Sequence, residues 1–522
     1  MNMDNLIRYK SVINLKIIAS FFFLLTLFAC NSTEPRLPES SQDFCGTIQA
    51  EVKTTLSEQL SGVSKKMESK TGVYVLEQGA EAMFSRAWLS SHAEQTIDVQ
   101  YFIFSADNIG LIAIDYLVRA AEHGVKVRIL VDDIMVDATG DELLMLNAHK
   151  NIAIKIYNPM ANIGKNIIEK IVNITTDFHG LNQRMHNKTF TVDGKVAITG
   201  GRNVADEYFG YDHEYNFRDR DVLLIGGVTS EIQKSFNQFW DDELSVPVNK
   251  LVKTKGSPIS SPTFAALHQY ACNPENFLPQ IREKIEKLPE AFNYIQETKK
   301  LHWLDDIEYI SDAPGKNNKN EFLGGSGIST ERLISLVQKA KKSVIIQTPY
   351  LITTDLGKNI FKKLVDKGVE VKILTNSLAS NDNLEAFSGY QRDRDALLKT
   401  GVRIYEFKPD AQVRIKVMSS ELQEKLDHIP VFGLHAKSMV IDDYTTVIGT
   451  FNLDPRSANL NTESVTIIPS AEIAKSVKQG MLTEMNPENA WETTLDWNPD
   501  GEVSKIKQLR VKSRIVVPKN IL

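Results

Sequence analysis

A pattern laid down near residue 100 is laid down again near residue 347, and this duplication limits the fold more than any other feature of the chain. Thr96–Tyr101 reads as a strand, Leu111–Ala121 as a helix, and Gly124–Leu130, with alternating Val125, Val127 and Ile129, as a second strand. Ser343–Thr348, Gly357–Asp366 and Gly368–Leu374 repeat that order. Gln100 returns as Gln347, Gly124 as Gly368 and His186 as His435, in each case 244 to 249 residues later. Strand, crossover helix, strand is a βαβ unit and implies a parallel component in the sheet. The expected fold class is therefore α/β, built as two duplicated α/β/α halves packed with the active site at their interface.

The second repeated feature carries chemistry. His186, Lys188 and Asp193 are followed by Gly200, Gly201 and Asn203; His435, Lys437 and Asp442 are followed at the same spacing by Gly449, Thr450 and Asn452. With ten His in the chain, chance supplies about 0.04 matches to His-x-Lys-x4-Asp alone. Two matches with the same Gly and Asn tail are not accidental. The flanking apolar residues predict a strand, a tight turn at Asp193-Gly194 or Asp442-Asp443, and a second strand. On a strand, i and i+2 share a face, so each His emerges beside its Lys. Lys supplies positive charge, Asn an amide donor, and His a nucleophile or proton donor, which together suit an anionic phosphate. One copy makes half a site. Two copies facing each other place a His on either side of one phosphorus, as in-line displacement requires.

These motifs resemble the duplicated HKD motifs of the phospholipase D superfamily. The phrases Thr96–Ile103, Arg184–Asp193, Gly200–Gly210, Leu374–Asp382 and Asn452–Ser457 look closest to bacterial cardiolipin synthases of the C type and their phospholipase D-like relatives, over roughly residues 72 to 500. The resemblance implies phosphodiester transfer through a phosphohistidine with neither metal nor cofactor. It implies His186 as nucleophile and His435 as general acid, with Lys188, Lys437, Asn203 and Asn452 holding the non-bridging oxygens. It also implies an acid downstream of each motif to orient the imidazole. Glu463 is expected behind His435, and Asp219, with Asp221 second, behind His186. Asp193 and Asp442 complete the catalytic motif, although their place at a turn points to structural support.

The domain reading follows: a leader over 1–29, a tether and N-terminal helix over 30–70, the first phospholipase D-like half over 71–250, a linker over 251–300 and the second half over 301–522. The linker opens with the polar, Pro-containing run 253–262. In the leader, Arg8, Lys10 and Lys16 precede thirteen uncharged residues, Ile17–Ala29, and then Cys30. That is the form of a bacterial lipoprotein signal with Cys30 as the lipidation site. A transmembrane anchor, which needs about 20 residues, is the alternative. The expected location is the periplasm-facing cell envelope, with the outer membrane favoured by Asn31. Cys45 and Cys272 can pair in such an oxidising compartment.

Net charge narrows the partners. Residues 1–29 carry three basic and one acidic residue, so the remainder stands at −8 against −6 for the whole chain. An exported nuclease would show a basic surface, and no nucleic-acid partner is expected. The expected partners are a phospholipid substrate and a membrane. Ile163, Ile167, Ile171 and Ile174, with Lys165, Glu169 and Lys170 between them, fall at helical spacing; they read as an interfacial helix or as a stripe packed on the core. The leading function is phosphatidyl transfer making cardiolipin. Hydrolysis to phosphatidic acid is the alternative, and an inactive lipid-binding lipoprotein is disfavoured by intact motifs in both halves.

Overall fold

The structure, a computed structural model, describes residues 54–136, 138–160, 162–163, 182–252, 264–273, 276, 295, 300–316, 326–417 and 428–522. The expected leader with Cys30, most of the tether with Cys45, and the stretch from 164 to 174 lie outside the described residues.

The first half contains β1 (Thr71–Leu76), β2 (Thr96–Tyr101), β3 (Lys126–Asp132), β4 (Ile152–Tyr157), β5 (Thr189–Val192), β6 (Val196–Gly200), β7 (Tyr215–Arg218), β8 (Asp221–Ile225) and β9 (Ser245–Pro247), with helices α1 (Gly79–His92), α2 (Asn108–Glu122) and α3 (Thr229–Asp241). Between the halves come α4 (Ala265–Cys272) and β10 (His302–Leu304). The second half contains β11 (Glu308–Ser311), β12 (Ser343–Gln347), β13 (Glu370–Asn376), β14 (Arg403–Phe407), β15 (Val431–Leu434), β16 (Ser438–Ile441), β17 (Thr445–Gly449), β18 (Ser464–Pro469) and β19 (Ala490–Thr493), with α5 (Asp355–Asp366), α6 (Leu384–Leu398), α7 (Ala471–Glu484) and α8 (Lys505–Ser513).

The crossover helices start and stop alike in both halves. Asp107 caps α2 by accepting from Gly110 N, and Thr354 caps α5 by accepting from Gly357 N. Gly124 and Gly368 follow the two helices at φ of +100° and +82°, a left-handed conformation that costs Gly least. The chain then returns parallel: β2 pairs with β3 and β12 with β13, which puts Gln100 opposite Leu130 and Gln347 opposite Leu374. The β5–β6 and β16–β17 hairpins turn through Asp193-Gly194 and Asp442-Asp443, all four at positive φ as a type I′ turn needs.

The first sheet runs β10-β1-β8-β6-β5-β2-β3-β4-β9 and the second β11-β18-β17-β16-β12-β13-β14-β19. They meet through a shared apolar core in which Val73, Ala197, Val222 and Leu224 of the first sheet join Ile345, Leu374, Val440 and Ile448 of the second. A third, two-stranded sheet ties the halves edge to edge: β7 and β15 run parallel from Tyr215↔Val431 to Arg218↔Leu434.

Two boundaries differ from the sequence reading. β10, placed by sequence in the second half, pairs antiparallel with β1 and so completes the first sheet. The 251–300 linker is not all linker: α4 docks on α2, with Tyr270 Oη donating to Asn108 Oδ1 at 2.8 Å. Periodicity over an eight-residue helix was too weak a signal to separate it from the polar run before it. Cys272, at the end of α4, is disulfide-bonded, and its partner sulfur lies outside the described residues.

Candidate active site

Each motif enters its site on an extended stretch just ahead of a hairpin, His186–Lys188 before β5 and His435–Lys437 before β16. All four side chains are buried. Each Lys folds back on its own His: Lys188 Nζ donates to His186 O at 2.8 Å, and Lys437 Nζ donates to His435 O at 2.6 Å. Lys437 Nζ also lies 3.0 Å from His435 Nε2.

The orienting acids cross between the halves. His186 Nδ1 is 2.8 Å from Glu463 Oε2, and His435 Nδ1 is 2.6 Å from Asp219 Oδ2. This corrects the expected pairing, which put Asp219 behind His186 and Glu463 behind His435. The cause is backbone pairing across the joint. His186 N donates to Thr462 O and Thr462 N to Arg184 O, so the segment leading into His186 lies beside the residue before Glu463. Likewise His435 N and Ala436 N both donate to Arg218 O, which brings His435 beside Asp219. Asp221, the second candidate, is ion-paired instead with Arg86 at 2.9 Å and Arg202 at 3.6 Å.

The residue after each motif Gly accommodates its acid. A Cβ at Gly201 would fall 2.1 Å from Asp219 Oδ1, so only Gly fits there. The equivalent Thr450 donates its hydroxyl to Glu463 Oε2, and Ser457 Oγ donates to the other oxygen at 2.7 Å.

Asp193 and Asp442 do not join the four motif His and Lys side chains, which corrects their inclusion in the catalytic set. Asp193 accepts from the backbone N–H groups of Glu94, Gln95 and Thr96, and Asp442 from those of Lys341, Lys342 and Ser343. Each one ties a hairpin turn to the start of its antiparallel neighbour, β2 or β12. Asn203 accepts from Ile103 N at 3.0 Å through Oδ1, which leaves its NH2 as the donating end. Asn452 is buried, and its Oδ1 has no partner among the described residues.

Burial controls the electrostatics. It pushes His186 down to about 4 and His435 to about 3; the neighbouring lysines act in the same direction and the paired carboxylates oppose it. Burial also lowers Lys188 to about 7 and Lys437 to about 8, against the opposing pull of Glu463 and Asp219. For Asp219 and Glu463 burial alone would raise the carboxyl, but the imidazole and lysine partners outweigh it and hold both low. Both imidazoles are therefore neutral near pH 7, with Nδ1–H donated to a carboxylate. Lys437 acts on His186 and Lys188 on His435, so the two half-sites form one electrostatic unit.

Aromatic rings that the sequence reading did not single out wall this unit. Phe102 lies 5.1 Å edge-on from the His186 ring with Lys188 Nζ 5.5 Å over its face, and Tyr208 and Phe217 lie 5.0 and 4.8 Å from His435. One sequence signal was available: Tyr208 and Ser457 each stand five residues past a motif Asn. Beneath the site, Gln347 Oε1 accepts from Arg220 at 2.7 Å, while Arg218 pairs with Glu484 at 2.6 Å.

Two α/β halves that pool a His, a Lys and an acid across a shared face define a phospholipase D-type enzyme, and the comparisons with known proteins agree. The family model described as cardiolipin synthase, PLD-like domain matches residues 89–240 and again 333–483. Cardiolipin synthase C of Escherichia coli is 34% identical over 438 residues, covering 81% of this chain and 87% of that protein. Cardiolipin synthase 1 of Bacillus anthracis is 24% identical over 407 residues, covering 78% of this chain and 64% of that one. The crystal structure of phosphatidylserine synthase from Haemophilus influenzae superposes with a TM-score of 0.54 at 13% identity, over 89% of this chain and all of that one, a likeness of fold. The chain belongs to the cardiolipin synthase family of phospholipase D-like phosphatidyltransferases.

Proposed function

We propose that the protein joins two phospholipids into cardiolipin by double displacement at phosphorus, at a membrane surface. The observation that carries this reading is the crossed pair of buried imidazoles, each oriented at Nδ1 by the other half's carboxylate. In the first step His186 Nε2 attacks the phosphorus of the donor lipid. The P–O bond to the leaving alcohol breaks, and that oxygen takes a proton from His435 Nε2, a proton drawn from solvent when the anionic donor lipid binds, leaving a phosphatidyl group on His186. In the second step the hydroxyl of an acceptor phosphatidylglycerol gives its proton to His435 and attacks phosphorus, releasing His186. An asymmetry in the structure supports these roles: Lys437 Nζ sits against His435 Nε2, whereas Lys188, among the described residues, bonds the backbone oxygen of His186.

Phosphate binding prepares the site. An anion between Lys188 and Lys437 restores both lysines to the charged state that burial resists, and raises the affinity of His435 for the proton it must donate. The two lysines and the amide ends of Asn203 and Asn452 then face the charge that grows on the non-bridging oxygens, already oriented before the reaction begins. Lipidation at Cys30 would hold the enzyme in the bacterial envelope beside its substrate. Among the described residues no helix is long and apolar enough to cross a membrane.

The test is the full chain with mixed vesicles containing phosphatidylglycerol, with products read by mass spectrometry. Cardiolipin is expected, and a rapid detergent quench at mildly alkaline pH, where a P–N bond survives, should trap phosphatidyl on His186 in wild type but not in His186→Ala. Phosphatidic acid as the sole product would overturn transfer, and a trapped adduct on His435 would overturn the assignment of roles.

A further inference from the structure

The four most exposed large aliphatic side chains among the described residues lie within eleven consecutive positions. Ile506, Leu509, Ile515 and Val516 are 61–66% exposed. Ile506 and Leu509 stand at i and i+3 on α8, on one face of that helix; Ile515 and Val516 follow in the 3-10 turn Arg514–Val516. Exposed Lys505, Arg510 and Lys512 are interleaved with them, while Arg514 pairs with Glu385 and Lys519 with Asp393; residues 503–522 contain no Asp or Glu, although the whole chain carries −6.

This surface is anchored to the second half. Val511 is fully buried beneath it, Arg514 Nε donates to Glu385 at 2.9 Å, and Arg392 Nη2 donates to Val517 O at 3.0 Å. It is also rooted beside the reactive residues. Arg456, four residues past the motif Asn452, donates to Ile521 O at 3.1 Å, and its neighbour Ser457 bonds Glu463. On the other side Lys507 Nζ donates to Ala379 O at 3.2 Å, next to Ser380, whose carbonyl accepts from Tyr215 at the parallel joint.

We infer that α8 and the turn after it form the membrane-docking surface of the enzyme, seated on an anionic phospholipid bilayer. The inference rests on the proposed phospholipid substrate. A helix that alternates exposed aliphatics with Lys and Arg binds by dipping its apolar side chains below the headgroups while its cations meet anionic lipid. The concentration of positive charge in an otherwise acidic chain selects an anionic bilayer over a neutral one. Seated this way, the chain segment that braces Glu463 lies next to the lipid surface that supplies substrate.

The experiment uses the full chain carrying an environment-sensitive dye at L509C, with a second preparation labelled at K150C in the first half. On phosphatidylcholine vesicles containing phosphatidylglycerol, the dye at 509 should shift to the blue and be quenched by nitroxide lipids, while the dye at 150 does neither. Each basic residue near an anionic surface contributes roughly fivefold to binding. The triple reversal K505E/R510E/K512E should therefore cut the quenchable fraction at 509 by more than roughly a hundredfold in apparent affinity for anionic lipid. Dye at 509 that stays as in water while the protein sediments with the vesicles would overturn the inference, and so would equal seating on pure phosphatidylcholine. Turnover of short-chain phosphatidylglycerol below its critical micelle concentration is followed in the same samples. The reversal variant should keep it, because none of the three lysine or arginine side chains enters the reaction. Seating without turnover in wild type would refute the proposed reaction and leave the docking surface standing.

Discussion

Which imidazole does Glu463 serve? Replacing Glu463 by Gln and His186 by Ala, singly and together, answers by a double-mutant cycle. Glu463 is fully buried and its Oε2 lies 2.8 Å from His186 Nδ1. A hydrogen bond to a charged group contributes about 1.5–3 kcal/mol. Guanidinium unfolding at pH 8, where both imidazoles are neutral, should therefore return a coupling of about 2 kcal/mol between Glu463 and His186. The parallel cycle between Glu463 and His435 should return less than about 0.5 kcal/mol, the value for residues with no shared bond. Removing His186 does not strand the carboxylate, because Thr450 and Ser457 still donate to it. The mirror experiment couples Asp219 to His435 and not to His186. Activity follows the same geometry: amidating the acid behind a reacting His costs about 10⁴ in kcat in serine proteases, and a loss of that order is expected for Glu463→Gln and Asp219→Asn. A coupling that stayed within each half, Glu463 with His435, would refute the crossed arrangement.

Asp442→Asn should lower stability by about 1–3 kcal/mol through its three backbone bonds while leaving kcat within a few-fold, read by thermal unfolding and turnover together; a loss of kcat comparable to that of His435→Ala would return it to the chemistry. Gly201→Ala should displace Asp219, cost about 1–3 kcal/mol and remove most activity, since the new methyl would meet Oδ1 at 2.1 Å. Lys188→Met should stabilise the ligand-free protein more at pH 6 than at pH 10. The folded value near 7 lies below the free value, so this group's contribution is complete only at high pH and is lost as pH falls through the native range. Binding of inorganic phosphate at pH 8 should take up roughly one proton, mainly at Lys188, measured by calorimetry in buffers of different ionisation enthalpy; no uptake would mean that the lysine is already charged in the empty site.

What the sequence made legible was local. The βαβ repeats, the hairpins and the pairing of His with Lys at i and i+2 depend on spacing within a few residues, and the turn role of Asp193 and Asp442 depends on positive φ at a tight turn. The acids were named correctly and attached to the wrong imidazoles, because attachment depends on β7 meeting β15 and on Met185 pairing with Thr462, contacts between segments over 200 residues apart. Nothing in either half's own pattern encodes that register. β10 was misassigned for a related reason: three residues carry too little periodicity to say which sheet edge they complete. Phe102 and Tyr208 were passed over because a lone aromatic beside a motif reads as core until the fold turns it toward an imidazole.

The parallel joint between β7 and β15 has a mechanical corollary. Both carboxylates reach their imidazoles across the boundary between the halves, so a sliding of one half against the other would draw Asp219 from His435 and Glu463 from His186 together. A lobe cut out and expressed alone would have to find a second copy of itself before it could hold even one His in its working pose.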